Sequence, residues 1–190
     1  NHDNHLSPLS DALEYLVPKS AHHTVHQYNN AYYYDNKKYG IRFIVLHHYL
    51  YANSGIRDEV KNWIKYKPSG YKWAILEHYP FNNGTWEEDV CIGSDAQAWL
   101  FGLIDEYSGF IGNFCGHLHL DKYDLLSTGE KHFHQMVFDM DTKGIDPDDM
   151  YGQCITILSI NPTTENVKFY RIGRNDTFDS NQWEYTGFTK

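Results

Sequence analysis

Three short and almost continuously apolar segments constrain the fold of this chain most strongly. They are IRFIVLH (41–47), WAIL (73–76) and FIGNFC (110–115). A strand that is buried on both faces of a sheet is apolar throughout, whereas a half-buried strand alternates between apolar and polar residues. We therefore predict buried strands at the first two segments and a short strand at the third. Loops that leave the ends of such strands are where α/β proteins build their sites.

Helical segments separate these predicted strands. Ile56, Val60, Trp63 and Ile64 recur at helical spacing before Pro68, and Ser94 caps a second predicted helix. A third helix is predicted from Ser7-Pro8 to the residue before Pro18. Further strands are predicted at residues 32–34, 132–140, 153–160 and 167–172. Alternating helices and strands followed by consecutive strands indicate an α/β protein with mixed sheets.

Composition excludes several classes of protein. The 190 residues suit one domain, and no apolar run approaches the ~18 residues of a membrane-spanning helix. The net charge of −9 lacks the overall basic footprint of a nucleic-acid or anionic-membrane binder. A phosphate substrate would therefore need something other than net charge to neutralise it. Cys91, Cys115 and Cys154 form no CxxC pair, so we expect buried free thiols and no disulfide framework.

Histidines follow the predicted strands directly. His78 comes after WAILE, and His117 and His119 come after FIGNFC and Gly116. On extended backbone the i, i+2 spacing would aim both imidazoles to the same side, where they serve two metals or one metal twice. Asn1-His2-Asp3 is a third polar group, at the start of the chain.

Taken in order, NHD (1–3), LEHYP (76–80) and CGHLH (115–119) resemble the last three motifs of the calcineurin-like metallophosphoesterase superfamily. The resemblance covers about residues 1–173, with 174–190 as a C-terminal tail. It implies a four-layer α/β/β/α sandwich of two mixed sheets, with the site at the strand ends.

The resemblance also implies roles for individual residues. Asn1, His78 and His117 would ligate the second metal, and His119 would ligate the first. His2 would protonate the leaving oxygen of a phosphate mono- or diester, and Asp3 would orient His2. Two divalent ions of manganese, iron or zinc are the implied cofactors. They would give an acidic chain its affinity for phosphate.

The first two motifs of that family, D-x-H and GD, should precede Asn1. We therefore interpret the chain as the C-terminal portion of a phosphoesterase domain, whose missing N-terminal segment would be its partner. Alone, it should hydrolyse phosphate esters poorly or not at all. Two alternatives stay open: a non-catalytic remnant or binding module with the same fold, and a structural zinc domain built from Asn1, His78, His117 and His119.

Other candidate residues surround these motifs. Tyr79 and Phe81 are predicted to line a substrate rim because they lie beside the candidate ligand His78, and His47 is predicted there because it ends the buried strand IRFIVLH. His132 and His134 form a second H-x-H, but this pair falls inside a predicted strand. We predict for it a surface or inter-sheet position.

Overall fold

The structure, a computed structural model, describes residues 23–28, 31–46, 54–87, 90–118, 120–129, 131–138, 154–173 and 182–189. Ten strands and two helices lie in these ranges. The strands are β1 (His23–Tyr28), β2 (Ala31–Asn36), β3 (Ile41–Leu46), β4 (Lys72–Glu77), β5 (Phe110–Cys115), β6 (Lys122–Thr128), β7 (Lys131–Val137), β8 (Cys154–Asn161), β9 (Asn166–Gly173) and β10 (Gln182–Thr186). The helices are α1 (Ser54–Lys65) and α2 (Ser94–Glu106).

Seven strands form the larger sheet, in the order β1-β2-β3-β4-β5-β7-β6. Its centre is parallel: β3 pairs with β4, β4 with β5, and β5 with β7. The three apolar segments are these central strands, and Ile44, Ile75 and Ile111 are completely buried. The predictions of buried strands at 41–47 and 73–76 and of a short strand at 110–115 are confirmed over the described residues, in which β3 ends at Leu46.

The two helices cover one face of this sheet. Ile56, Val60, Trp63 and Ile64 of α1 are the residues that the spacing predicted to face the core, and all four are buried. From α2, the buried residues are Ala96, Leu100, Leu103 and Ile104. They pack with Trp73, Phe110 and Phe133 of the sheet into one hydrophobic cluster. Such burial of an amphipathic face is what stabilises helices of this length in proteins.

A smaller antiparallel sheet, in the order β10-β9-β8, covers the opposite face. Val167, Phe169 and Tyr185 of the small sheet pack against Ile111 and Met136 of the large one. The turn Asn161-Pro162-Thr163-Thr164 joins β8 to β9. Its Asn161 Oδ1 accepts hydrogen bonds from the backbone amides of Thr163 and Thr164, at 3.0 and 3.1 Å.

Residues 182–189 belong to the packed fold, although the sequence interpretation assigned them to a tail. The strand β10 pairs with β9, and Phe188 is 4% exposed. Thr189 forms a backbone bridge with Phe110, at the start of β5. The physical reason is apolar burial, because Tyr185 and Phe188 fill space between the two sheets.

A mixed α/β fold with two β-sheets is thus confirmed. The described elements make three layers: helices, large sheet and small sheet. No helix in the described ranges is long and apolar enough to cross a membrane. The helix predicted from Ser7-Pro8 lies outside the described residues.

Candidate functional site

His78 and His117 follow two neighbouring parallel strands. His78 comes directly after β4, and His117 lies two residues after β5. Parallel strands end at the same edge of a sheet, so the two loops begin side by side. The amide of Gly116 donates to the carbonyl of His78 at 3.1 Å, which ties the two loops together beyond the last paired residues of the strands. The topology therefore brings together two of the residues predicted as metal ligands.

The backbone of His117 adopts an uncommon conformation. Its φ is +73°, and the amide of Leu118 donates to the carbonyl of Gly116 at 3.0 Å. This closes a three-residue γ-turn in the form with positive φ, which is the rare and strained one. Strain of this kind persists only where surrounding structure holds it, and it is concentrated at functional sites.

This turn corrects one expectation from the sequence. The i, i+2 argument for His117 and His119 assumed extended backbone, and His117 is not extended. The γ-turn instead directs the His117 ring towards His78. His119 itself lies outside the described residues.

The two imidazoles meet through one nitrogen each. Nδ1 of His117 lies 3.0 Å from Nε2 of His78, and the ring planes are inclined at 66°. Both side chains are half-buried. Without a metal, one of these nitrogens must carry a proton that the other accepts. Two imidazole nitrogens bound to one tetrahedral zinc at about 2.0–2.1 Å lie about 3.3 Å apart. The observed distance between the two nitrogens, 3.0 Å, is close to that spacing.

Tyr79 packs against this histidine pair. Its ring centroid lies 3.9 Å from that of His117, with the planes inclined at 33°, and 5.2 Å from that of His78. The predicted position of Tyr79 beside the candidate ligand is observed.

Phe81, in contrast, is not a rim residue. Its side chain has no exposed surface, and its ring contacts Phe101 and Phe133 edge-on, at 5.3 and 5.7 Å. An aromatic ring buried to this extent stabilises the core and does not face a substrate. The rim role predicted for Phe81 is therefore wrong.

A buried amide holds the loop that follows His78. Gln135 of β7 is completely buried, and its side chain bonds both backbone groups of Phe81. The Phe81 amide donates to Gln135 Oε1 at 2.8 Å, and Gln135 Nε2 donates to the Phe81 carbonyl at 3.0 Å. Asn113 of β5 donates to the same Oε1 at 3.0 Å. The Gln135 carboxamide thus provides the loop with the two backbone hydrogen bonds that a neighbouring strand would otherwise supply.

Sequence reasoning missed Gln135 and Asn113. The available signal was a polar amide in the middle of an apolar segment, in FIGNFC for Asn113 and in HFHQMVF for Gln135. Such a residue is buried only when it is hydrogen-bonded, so it marks a place where the backbone needs a partner.

Cys115 is buried at the end of β5. Burial raises the pKa of its thiol well above the usual value, and the nearby Glu77 carboxylate raises it further. It is therefore a protonated, unreactive thiol at neutral pH. Cys115 and Cys91 are both free and buried, as predicted.

The second H-x-H lies where the sequence predicted it. His132 is exposed, whereas His134 packs between the sheets, with its ring centroid 3.9 Å from that of Tyr185.

The remaining predicted site residues, Asn1, His2, Asp3, His47 and His119, lie outside the described residues. Within the ranges that the structure covers, no group of three or more His, Cys, Asp and Glu side chains is arranged to hold a metal. The described part of the site is therefore the pair of His78 and His117, with Tyr79 against it.

No protein-family model matches this chain, and a search of curated proteins finds no match.

Proposed function

We propose that this chain provides part of a two-metal site for the hydrolysis of phosphate mono- or diesters. The observation that carries the proposal is the convergence of His78 and His117, whose facing nitrogens lie 3.0 Å apart at the ends of adjacent strands. The resemblance of NHD, LEHYP and CGHLH to metallophosphoesterase motifs supports the same reading.

In this proposal His78 and His117 hold one divalent ion, together with Asn1, and His119 contributes to the second. The bound ions would offset the phosphate charge and lower the pKa of an attacking water. His2 would donate a proton to the leaving oxygen, and Asp3 would orient its ring. Tyr79 would restrict the rotation of the His117 ring by packing against it.

The four-layer sandwich is the structural part of the proposal. Helices cover the large sheet on one side and the small sheet covers it on the other. The outer face of the small sheet presents Ile155, Ile157 and Ile172, which are 61, 49 and 56% exposed. A fourth layer against these side chains would complete an α/β/β/α arrangement.

Metal titration tests the histidine pair directly. We expect Zn²⁺ or Mn²⁺ to bind the wild-type chain in isothermal titration, and His78→Ala or His117→Ala to weaken the affinity at least ~10-fold. His132→Ala is the matched control, because this exposed histidine bonds Ser127 on another part of the sheet. If both site variants bind metal with wild-type affinity, the proposed metal site at His78 and His117 is wrong.

Hydrolysis tests the role of the chain in catalysis. Alone, it should turn over p-nitrophenyl phosphate and the bis-ester slowly or not at all. An added N-terminal segment that carries D-x-H and GD motifs should raise the rate, and His78→Ala should abolish the gain. One tightly held zinc without activity would favour the structural zinc domain. Absence of metal binding would favour the non-catalytic remnant.

A further inference from the structure

A basic surface bearing tyrosines lies at the amino ends of β3 and β4, on the edge of the large sheet opposite to His78 and His117. We call it the Lys/Tyr surface. It consists of Lys37, Lys38, Tyr39, Lys65, Tyr66 and Lys67. The six-residue strands separate it from the histidine pair by roughly 17 Å. Binding at this surface is thus spatially independent of the proposed metal site.

Two segments distant in sequence form this surface, and two hydrogen bonds join them. The amide of Lys72 donates to the carbonyl of Gly40 at 2.9 Å, which links the loop after α1 to the β2–β3 turn. Nη1 of Arg42 donates to the carbonyl of Trp63 at 2.6 Å, which holds the last turn of α1 against the start of β3. The two segments therefore lie side by side at this end of the sheet.

The charge of this face is opposite to that of the whole chain. Residues 36–43 and 65–73 contain no Asp or Glu, although the net charge is −9. Lys37, Lys38 and Lys65 are exposed, and the described residues place no carboxylate within 4.0 Å of them, although Glu106 lies close enough to attract Lys65 at longer range. Partial burial lowers the pKa of Lys67, and repulsion from Arg42 and Lys72 lowers it further. Lys67 is thus close enough to Arg42 and Lys72 to be repelled by them, although Arg42 pairs with Asp35 and Lys72 with Glu165.

Exposed aromatic rings accompany these cations. Tyr39 and Tyr66 are 51 and 69% exposed. In each case the preceding lysine, Lys38 or Lys65, places its Nζ 5.0 Å from the ring centroid. The surface therefore carries the same Lys-Tyr unit twice.

We propose that the Lys/Tyr surface binds single-stranded nucleic acid, with phosphates against the lysines and bases stacked on Tyr39 and Tyr66. A positively charged face with aromatic rings is how proteins hold single strands without reading their sequence. Salt screens the attraction between the lysines and the phosphates, so binding should weaken as ionic strength rises.

An anionic membrane suits this face less well. Membrane-bound surfaces carry Trp, Phe or Leu beside their basic residues. The other exposed large apolar side chains of the described residues lie on β6, β8 and β9. They are Leu125, Ile155, Ile157 and Ile172. An acidic peptide would use the lysines but would gain little from exposed tyrosine rings.

Fluorescence anisotropy with a labelled 20-nucleotide oligothymidine at ~20 mM salt tests the proposal. We expect saturable binding whose log K falls with log salt at about −0.7 for each phosphate contact. The triple variant Lys37→Gln/Lys38→Gln/Lys65→Gln should weaken binding about tenfold or more and flatten that slope. Tyr39→Ala/Tyr66→Ala, which keeps every charge, should weaken it about fivefold or more.

The matched control is Lys122→Gln/Lys131→Gln/Lys168→Gln, which removes the same number of charges from other parts of the surface. It should bind as the wild type does, after thermal melts show that each variant is folded. Equal losses in both triple variants would mean non-specific attraction and overturn the proposal. Absence of binding at ~20 mM salt would overturn it too. Tighter binding to phosphatidylserine vesicles or polyglutamate, unaffected by the tyrosine changes, would assign the surface to another anionic partner.

Discussion

At the scale of single residues, one backbone dihedral decides whether the two candidate ligands can meet. His117 has a φ of +73°, at the centre of a γ-turn that brings its ring against His78 and Tyr79. The local sequence is CGHLH, in which Gly116 directly precedes the histidine that adopts the left-handed conformation. Nothing in the local pattern indicates that the histidine, and not the glycine, adopts it.

This strain predicts different effects of two substitutions at one position. His117→Gly and His117→Ala both remove the imidazole, so both should weaken metal binding. Glycine adopts positive φ without steric cost, so His117→Gly should be more stable than His117→Ala by ~1 kcal/mol. Urea unfolding of the two variants measures the difference. Equal stabilities would contradict the γ-turn.

Gln135 gives a second prediction at this scale. Gln135→Leu keeps a similar volume but leaves the Phe81 amide and carbonyl without their side-chain partner. It should lower the free energy of unfolding by roughly 2–4 kcal/mol, because buried polar groups lose their hydrogen bonds. Thr186→Val, at the exposed end of β10, is the control and should change stability by less than about 0.5 kcal/mol. Chemical denaturation of both variants provides the comparison.

At the scale of elements, the two sheets come into close contact where β5 carries Gly112. A Cβ on this residue would lie 2.7 Å from Tyr185 Oη and 2.9 Å from the His134 carbonyl. The Tyr185 hydroxyl donates to the Ile111 carbonyl at 3.0 Å. The glycine therefore lets β10 lie directly on β5.

The strands with continuous or periodic apolar residues were predicted correctly, whereas β1, β6 and β10 were missed because they are polar or mixed segments without such a period.

The contact at Gly112 predicts opposite results for two glycine substitutions. Gly112→Ala should destabilise the protein by about 2 kcal/mol, because the neighbours that a methyl group meets include backbone. Gly102→Ala in α2 meets nothing within 4 Å, so it should stabilise the protein by roughly 0.5–1 kcal/mol through helix propensity. Thermal melts compare the two. A neutral or stabilising Gly112→Ala would show that β10 does not approach β5 this closely.

At the scale of the whole molecule, His134 joins the two sheets. Its Nε2 lies 3.0 Å from the Gly187 carbonyl, which only accepts, so this nitrogen carries the proton. Nδ1 then accepts from the Tyr123 hydroxyl at 2.9 Å. Burial lowers the pKa of His134, although the bond to Gly187 opposes this effect. The folded protein thus holds the neutral imidazole between its two layers.

This arrangement predicts how stability depends on pH. Because the pKa of His134 is lower in the folded state, the unfolded chain takes up more protons in mild acid. The stabilisation is fully present above the unfolded pKa of about 6.5 and is lost as pH falls below it. His134→Phe should weaken the pH dependence of the free energy of unfolding between about pH 7 and 5. If His134→Phe matches the wild-type slope, His134 does not titrate as proposed.

The central strands, both described helices and the position of His78 and His117 after strands could be predicted from the sequence, because burial requires apolar periodicity and loops follow strand ends. Which polar groups share the interior depends instead on tertiary packing. Gln135 lies 54 residues from Phe81, and Tyr185 lies 74 residues from Ile111. Contacts at such separations depend on how the two sheets stack, and no local pattern contains that information. For the same reason Phe81 was misplaced at the surface, and residues 182–189 were separated from a core that they help to fill.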